Sequence, residues 1–94
     1  MEINNAQNNL KEVCESLKLF LLEKNKRYGN SALEPINVFS KLSPEEGMKL
    51  RMDDKVKRIK NSNELRKNDV VDLAGYLMLI CVQRGWTKFD DLLD

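Results

Sequence analysis

The ten residues from Leu73 to Val82, Leu-Ala-Gly-Tyr-Leu-Met-Leu-Ile-Cys-Val, carry no charge and almost no polar face, and no other feature limits the fold of this chain so strongly. A helix without a polar side has to be buried. The whole chain is 94 residues long, and a domain of that size hides only about 60–65% of the surface its unfolded form exposes. Too few neighbouring helices are available to wrap such a segment completely. The expectation is a small all-α bundle of three helices plus a short C-terminal turn, which completes its core by homo-oligomerisation.

The first helix is predicted from about Asn5 to Tyr28. Leu10, Val13, Cys14, Leu17, Phe20, Leu21 and Tyr28 follow the i, i+3, i+4, i+7 spacing of an amphipathic helix, and Gly29 ends it. Asn30 to Leu42 contains Pro35 yet also Leu33, Ile36, Val38 and Phe39, so it reads as a loop that packs down and can cover a ligand. Ser43-Pro44-Glu45-Glu46 has the form of a capping box with proline at the first helical position. It opens a second helix that runs to about Lys60, with Met48, Met52, Val56 and Ile59 as its apolar face. Asn61-Ser62-Asn63 breaks that helix, and a third starts between Asn63 and Asn68 and ends at Arg84, before Gly85. Thr87 is expected to cap a last short turn whose Phe89, Leu92 and Leu93, with Trp86, dock on the bundle or on a second subunit.

Composition removes several function classes. The formal charge of +1 gives no global basic field, so binding to duplex DNA through bulk electrostatics is not expected, and any phosphate site has to be a local cluster. There is no histidine, and the two cysteines, Cys14 and Cys81, lie in apolar stretches, so zinc ligation and a disulfide framework are not expected. Proton transfer near neutral pH would fall to carboxylates, Lys or Tyr. The polar, acidic start and the lack of any apolar run long enough to span a bilayer point to a cytoplasmic protein with no membrane partner.

Three clusters can carry chemistry. In the second helix Arg51, Asp54, Lys55 and Arg58 recur at i, i+3, i+4, i+7, so one face holds three cations that suit phosphate oxygens; the alternative is a solvated face with an ordinary Asp54–Arg58 pair. In the third, Asp69, Asp72 and Tyr76 share a face beside the most apolar segment. A carboxylate there needs a partner. Either Asp69 and Asp72, joined by Asp54 or Glu64, hold Mg²⁺, or Asp69 only answers the helix dipole while Asp72 pairs with Arg58. The third cluster, Lys24-Asn25-Lys26-Arg27-Tyr28-Gly29-Asn30-Ser31, gathers cations, an aromatic ring and small polar residues at a glycine turn. Its alternative is simple C-terminal capping.

The three blocks in this order resemble the phage-borne nucleotide-modification-associated α-helical domain family, related in outline to the MazG-like all-α nucleotide pyrophosphohydrolases. The pattern is a K-x-x-x-Y-G turn, a D-K-x-x-R helix and a D-x-x-D-L-x-x-Y helix, matched here between about residues 20 and 84 by Lys24, Tyr28, Gly29, Ser31, Asp54, Lys55, Arg58, Asp69, Asp72 and Tyr76. The resemblance implies a nucleotide site. Pyrophosphohydrolases of the MazG type carry four Mg²⁺-binding acids on facing helices, whereas here the second helix offers Arg51, Asp54 and Arg58. This balance favours binding over hydrolysis.

The leading expectation is therefore a nucleotide or cyclic-nucleotide binder, able to sequester a host immune signal as an anti-defence protein. Its ligand residues are Lys24, Arg27, Tyr28, Asn30, Ser31, Arg51, Lys55, Arg58 and Tyr76. The alternatives are a Mg²⁺-dependent pyrophosphohydrolase, with Asp54, Asp69, Asp72 and Glu64 at the metal, and a helical protein–protein adaptor.

Overall fold

The computed structural model describes residues 3–93. Three helices, α1 (Ile3–Tyr28), α2 (Pro44–Asn61) and α3 (Lys67–Gln83), are followed by a 3-10 turn over Asp90–Leu92, and no strand occurs among the described residues. The fold class is all-α, with helix boundaries within a few residues of those read from the periodicity.

The helix ends follow from local chemistry. At α2 the Ser43 Oγ accepts the Glu46 N–H at 3.2 Å, and Pro44 stands at the first helical position, where no N–H is needed. Gly29 and Gly85 adopt φ +64° and +72°, the left-handed conformation that lets a chain leave a helix without a Cβ clash. Beyond Gly85 the Trp86 N–H returns to the Cys81 carbonyl at 2.8 Å. The last turn departs from expectation. Its first residue follows Phe89, with no side-chain cap, so Thr87 does not start it.

Packing is strongly unequal. α2 lies along α3, whereas α1 meets α3 only near its own C-terminal end and has no helix–helix contact with α2. The crossing point is Gly75, which is buried; a Cβ there would come within 3.0 Å of the Leu21 Cδ2. Glycine lets the two helices approach. Met48 is the fully buried large apolar side chain, at 1% exposure.

A shortage of neighbours shows across the apolar surface, as the short chain leads one to expect. The all-apolar segment of α3 is only partly covered, with Leu77 and Val82 exposed. Phe89, Leu92, Leu93 and Trp86 also stay exposed. The 30–42 loop packs through Ala32, Leu33 and Pro35, but Ile36, Val38 and Phe39 face outward. On α2 the inward stripe is the buried Met48 with Met52, Lys55 and Ile59 half-buried and Val56 exposed, because α3 presents two carboxylates to Lys55.

A candidate phosphate and base pocket

The site begins with a charge problem on α3. Asp69 is 4% exposed and Asp72 is half-buried one turn later, so each carboxylate needs a cation. Lys55, itself half-buried on α2, places its Nζ 3.0 Å from the Asp72 Oδ2 and 3.7 Å from the Asp69 Oδ1. From α1, Lys24 reaches the other Asp72 oxygen at 3.4 Å. Burial opposes ionisation of Asp72, but the Lys55 hydrogen bond and the charges of Lys24 and Lys55 outweigh it and hold the carboxyl below its ordinary value. Asp72 thus pairs with two lysines and not with Arg58. One ion cluster ties all three helices together.

Above this cluster lies an open cavity of about 250 Å³. The end of α1 contributes Phe20, Lys24 and Tyr28, the glycine turn Asn30 and Ser31, α2 Arg51 and Lys55, and α3 Asp72 and Tyr76. The turn is held from inside. The Asn25 Nδ2 donates to the Asn30 Oδ1 at 2.7 Å and to the Gly29 carbonyl at 3.2 Å. The Lys24 ammonium also sits 5.0 Å from the centre of the Phe20 ring, a cation–π distance.

The chemistry of this lining is specific. Arg51 offers a planar fork with no ion-pair partner among the described residues, which suits bidentate binding of phosphate oxygens. Tyr28, Tyr76 and Phe20 provide flat rings against which a base can stack, and Asn30 and Ser31 supply neutral donors and acceptors.

Of the residues singled out in the sequence, Lys24, Tyr28, Asn30, Ser31, Arg51, Lys55, Asp72 and Tyr76 come together here. Others do not. Arg27 points elsewhere, in an i, i+4 pair with Glu23 at 2.9 Å. Arg58, Asp54 and Asp69 line a separate open groove of about 620 Å³ with Lys57 and Arg66. The cation row of α2 is split because Lys55, inserted between Asp69 and Asp72, turns Arg51 to one side of α3 and Arg58 to the other. No ion pair joins Asp54 to Arg58 among the described residues. Glu64 sits in the link between α2 and α3, where its backbone N–H and carbonyl both bond the Ser62 hydroxyl.

The proposed metal ligands do not converge. Asp69 and Asp72 share a lysine, Asp54 faces the other groove, and no group of three or more Asp, Glu, Cys or His is placed to hold a metal ion among the described residues. As arranged, these side chains do not form a Mg²⁺ cage. Phe20 lay outside the clusters singled out in the sequence, and Asn25, though within one, was not among the expected ligand residues. The signal for Phe20 was its place one turn before Lys24, on the same helix face.

No helix among the described residues is long and apolar enough to cross a membrane. Compared with models of known families, with curated proteins and with solved structures, the chain gives no match.

Proposed function

We propose that this chain binds a phosphorylated nucleotide, linear or cyclic, and holds it without cleaving it. The observation that carries the reading is the meeting of Lys24, Arg51 and Lys55 with Phe20, Tyr28 and Tyr76 around one cavity, from three elements distant in sequence. Arg51 takes the phosphate, the lysines add charge, and a ring covers the base. In this reading the protein is phage-borne, acts in the host cytoplasm as a homo-oligomer, and removes a cyclic-nucleotide immune signal from solution.

The test is a thermal-shift screen against AMP, ATP and cyclic dinucleotides, with and without Mg²⁺, followed by chromatography of each ligand recovered. A ligand at ten to a hundred times its dissociation constant adds about 1.4–2.7 kcal/mol, a rise of roughly 6–20 °C for a domain this small. Recovery of intact ligand supports binding alone, whereas cleavage that needs Mg²⁺ supports the pyrophosphohydrolase. Arg51→Ala removes the shift and Arg58→Ala leaves it, since Arg58 lines the other groove. If no nucleotide raises the melting temperature, the reading fails and the adaptor remains.

A further inference from the structure

The helix α1 has far more to bury than its own chain offers. A folded monomer of 10.9 kDa exposes about 5,600 Å², and this chain exposes 8155 Å². The excess, roughly 2,500 Å², is larger than the ~800 Å² that each partner hides in a standard interface. Part of it lies on one stripe of α1. Leu17 and Leu21, the half-buried residues of α1, continue N-terminally as Cys14 and Leu10 at alternating three- and four-residue steps, the spacing of a coiled-coil seam. Leu10 and Val13, flanking Cys14, are 63% and 64% exposed. The seam therefore runs past the end of its contact with α3 and stays apolar. A free helix of some fourteen residues is marginal in water, so this half of α1 needs a partner.

The direction of that partner follows from where the rest of the chain sits. The α2–α3 body packs only near the C-terminal end of α1. A parallel pair of α1 helices would crowd two bodies at the same end, whereas an antiparallel pair sends them to opposite ends. A two-fold axis between Val13 and Cys14 then sets Leu10 against the partner's Leu17 and Phe20 against the partner's Gln7. The partner's Asn4 arrives beside Glu23 and Lys24. Phe20 and Lys24 also form one wall of the nucleotide cavity, which at about 250 Å³ is smaller than the ~300–1,000 Å³ of most ligand pockets.

We propose that a second copy of the chain lays its α1 antiparallel along Leu10, Val13 and Cys14, and that the partner's Asn4 and Gln7 complete the pocket beside Phe20 and Lys24. The second half of this proposal rests on the nucleotide reading; the first half does not. Side-chain amides both donate and accept, so they match the mixed polar edge of a base. Ligand affinity then depends on association.

Three measurements on the full chain decide it. In a Cys81→Ala background, a short bismaleimide is expected to link Cys14 to the partner's Cys14, and Cys14→Ser to abolish the product. Sedimentation is expected to give an oligomer for the parent chain and a single chain for Leu10→Glu/Val13→Glu. Binding of cyclic di-AMP is expected to fall at least tenfold in that variant and severalfold in Asn4→Ala/Gln7→Ala, whose mass stays unchanged. A monomeric parent chain at about 100 µM, or an oligomer with no Cys14 crosslink, overturns the pairing. Full affinity in the single-chain variant overturns the shared pocket. If crosslinking succeeds but the parent binds neither cyclic di-AMP, AMP nor ATP, the nucleotide reading and the shared pocket fall together and the seam stands.

Discussion

Replacing Lys55 with methionine removes one charge from the centre of the fold while keeping an unbranched apolar side chain of similar length. Lys55 is 16% exposed at its side chain, and it answers Asp69, at 6%, and Asp72, at 21%. Removing one member of a buried ion pair costs about 3–5 kcal/mol, because the remaining charge is left without compensation. Lys24 still reaches Asp72 at 3.4 Å and keeps part of the compensation, so the cost falls to or below the bottom of that range, about 2–3 kcal/mol. A domain of this length is stable by roughly 5–14 kcal/mol in total. The melting temperature of Lys55→Met is therefore expected to drop by roughly 8–24 °C. Circular dichroism melts without ligand, at one protein concentration, measure this directly. The cause is separable from lost packing: Lys55→Met/Asp69→Asn removes the stranded charge as well and is expected to recover half of the loss or more. A Lys55→Met chain that melts within 2 °C of the parent (about half a kcal/mol) would refute the reasoning. So would a double variant as unstable as the single one.

Other consequences are independent of that cluster. The Arg84 fork grips Glu45 at 2.5 and 2.8 Å and lies over the Trp86 ring at 5.1 Å, which fixes the end of α3 to the start of α2. The Arg84 hydrogen bonds, against a smaller burial effect and with help from Lys49, hold the Glu45 carboxyl down at about 2 from an ordinary 4.5. A depressed carboxylate stabilises the fold above its unfolded value and loses that contribution as pH falls, here between about 4.5 and 2. Glu45→Gln is thus expected to flatten this part of the acid limb in melting temperature against pH; identical limbs would remove Glu45 as its source. At the α1–α3 crossing, Gly75→Ala brings a Cβ to 3.0 Å from a flexible Leu21 methyl while gaining about 1 kcal/mol of helix propensity. It should melt within about 4 °C of the parent. Gly75→Leu has no room and is expected to lose about 1–3 kcal/mol and the ligand response, with an unaltered melt counting against close packing at Gly75.

The helices were legible because the periodicity of Leu10 to Tyr28, the Ser43-Pro44 start and the two left-handed glycines are local signals, each decided within a few residues. Much of the site was legible too, since Lys24, Tyr28, Arg51 and Tyr76 lie in short motifs. The partner of Asp72 was not. Spacing along α2 places Lys55 and Arg58 on neighbouring parts of one face, and only the way α3 crosses it decides that Lys55 enters between Asp69 and Asp72. Burial was the least legible quantity. Phe39 and Leu93 are apolar yet exposed, because hydrophobicity in a sequence does not say whether a side chain finds a cover within its own chain.

The charges around the pocket also constrain which ligand it can prefer. Lys24, Arg51 and Lys55 against Asp72 leave two positive charges in the lining, three cations against one carboxylate. Asp69 draws further on Lys55 from outside the cavity, so the lysine is not free to leave. Freeing it would leave Asp69 without a cation and Asp72 with Lys24 alone, at the cost argued above. On the nucleotide reading proposed above, Arg51 is then the main phosphate contact, with Lys24 as the adjustable one, because its contact to Asp72 is the longer and its side chain is half exposed. Such a lining neutralises a ligand with two negative charges and under-compensates one with four. Without divalent metal, a cyclic dinucleotide or AMP should bind more tightly than ATP by titration calorimetry, by tenfold or more if the uncompensated charge costs about 1.4 kcal/mol. Adding salt should weaken ATP binding most, since its surplus charge is held only through solvent. ATP binding tightest in metal-free buffer would mean that Asp69 and Asp72 give up Lys55 when the ligand enters, and the rigid cluster at the centre of this fold would have to be a switch.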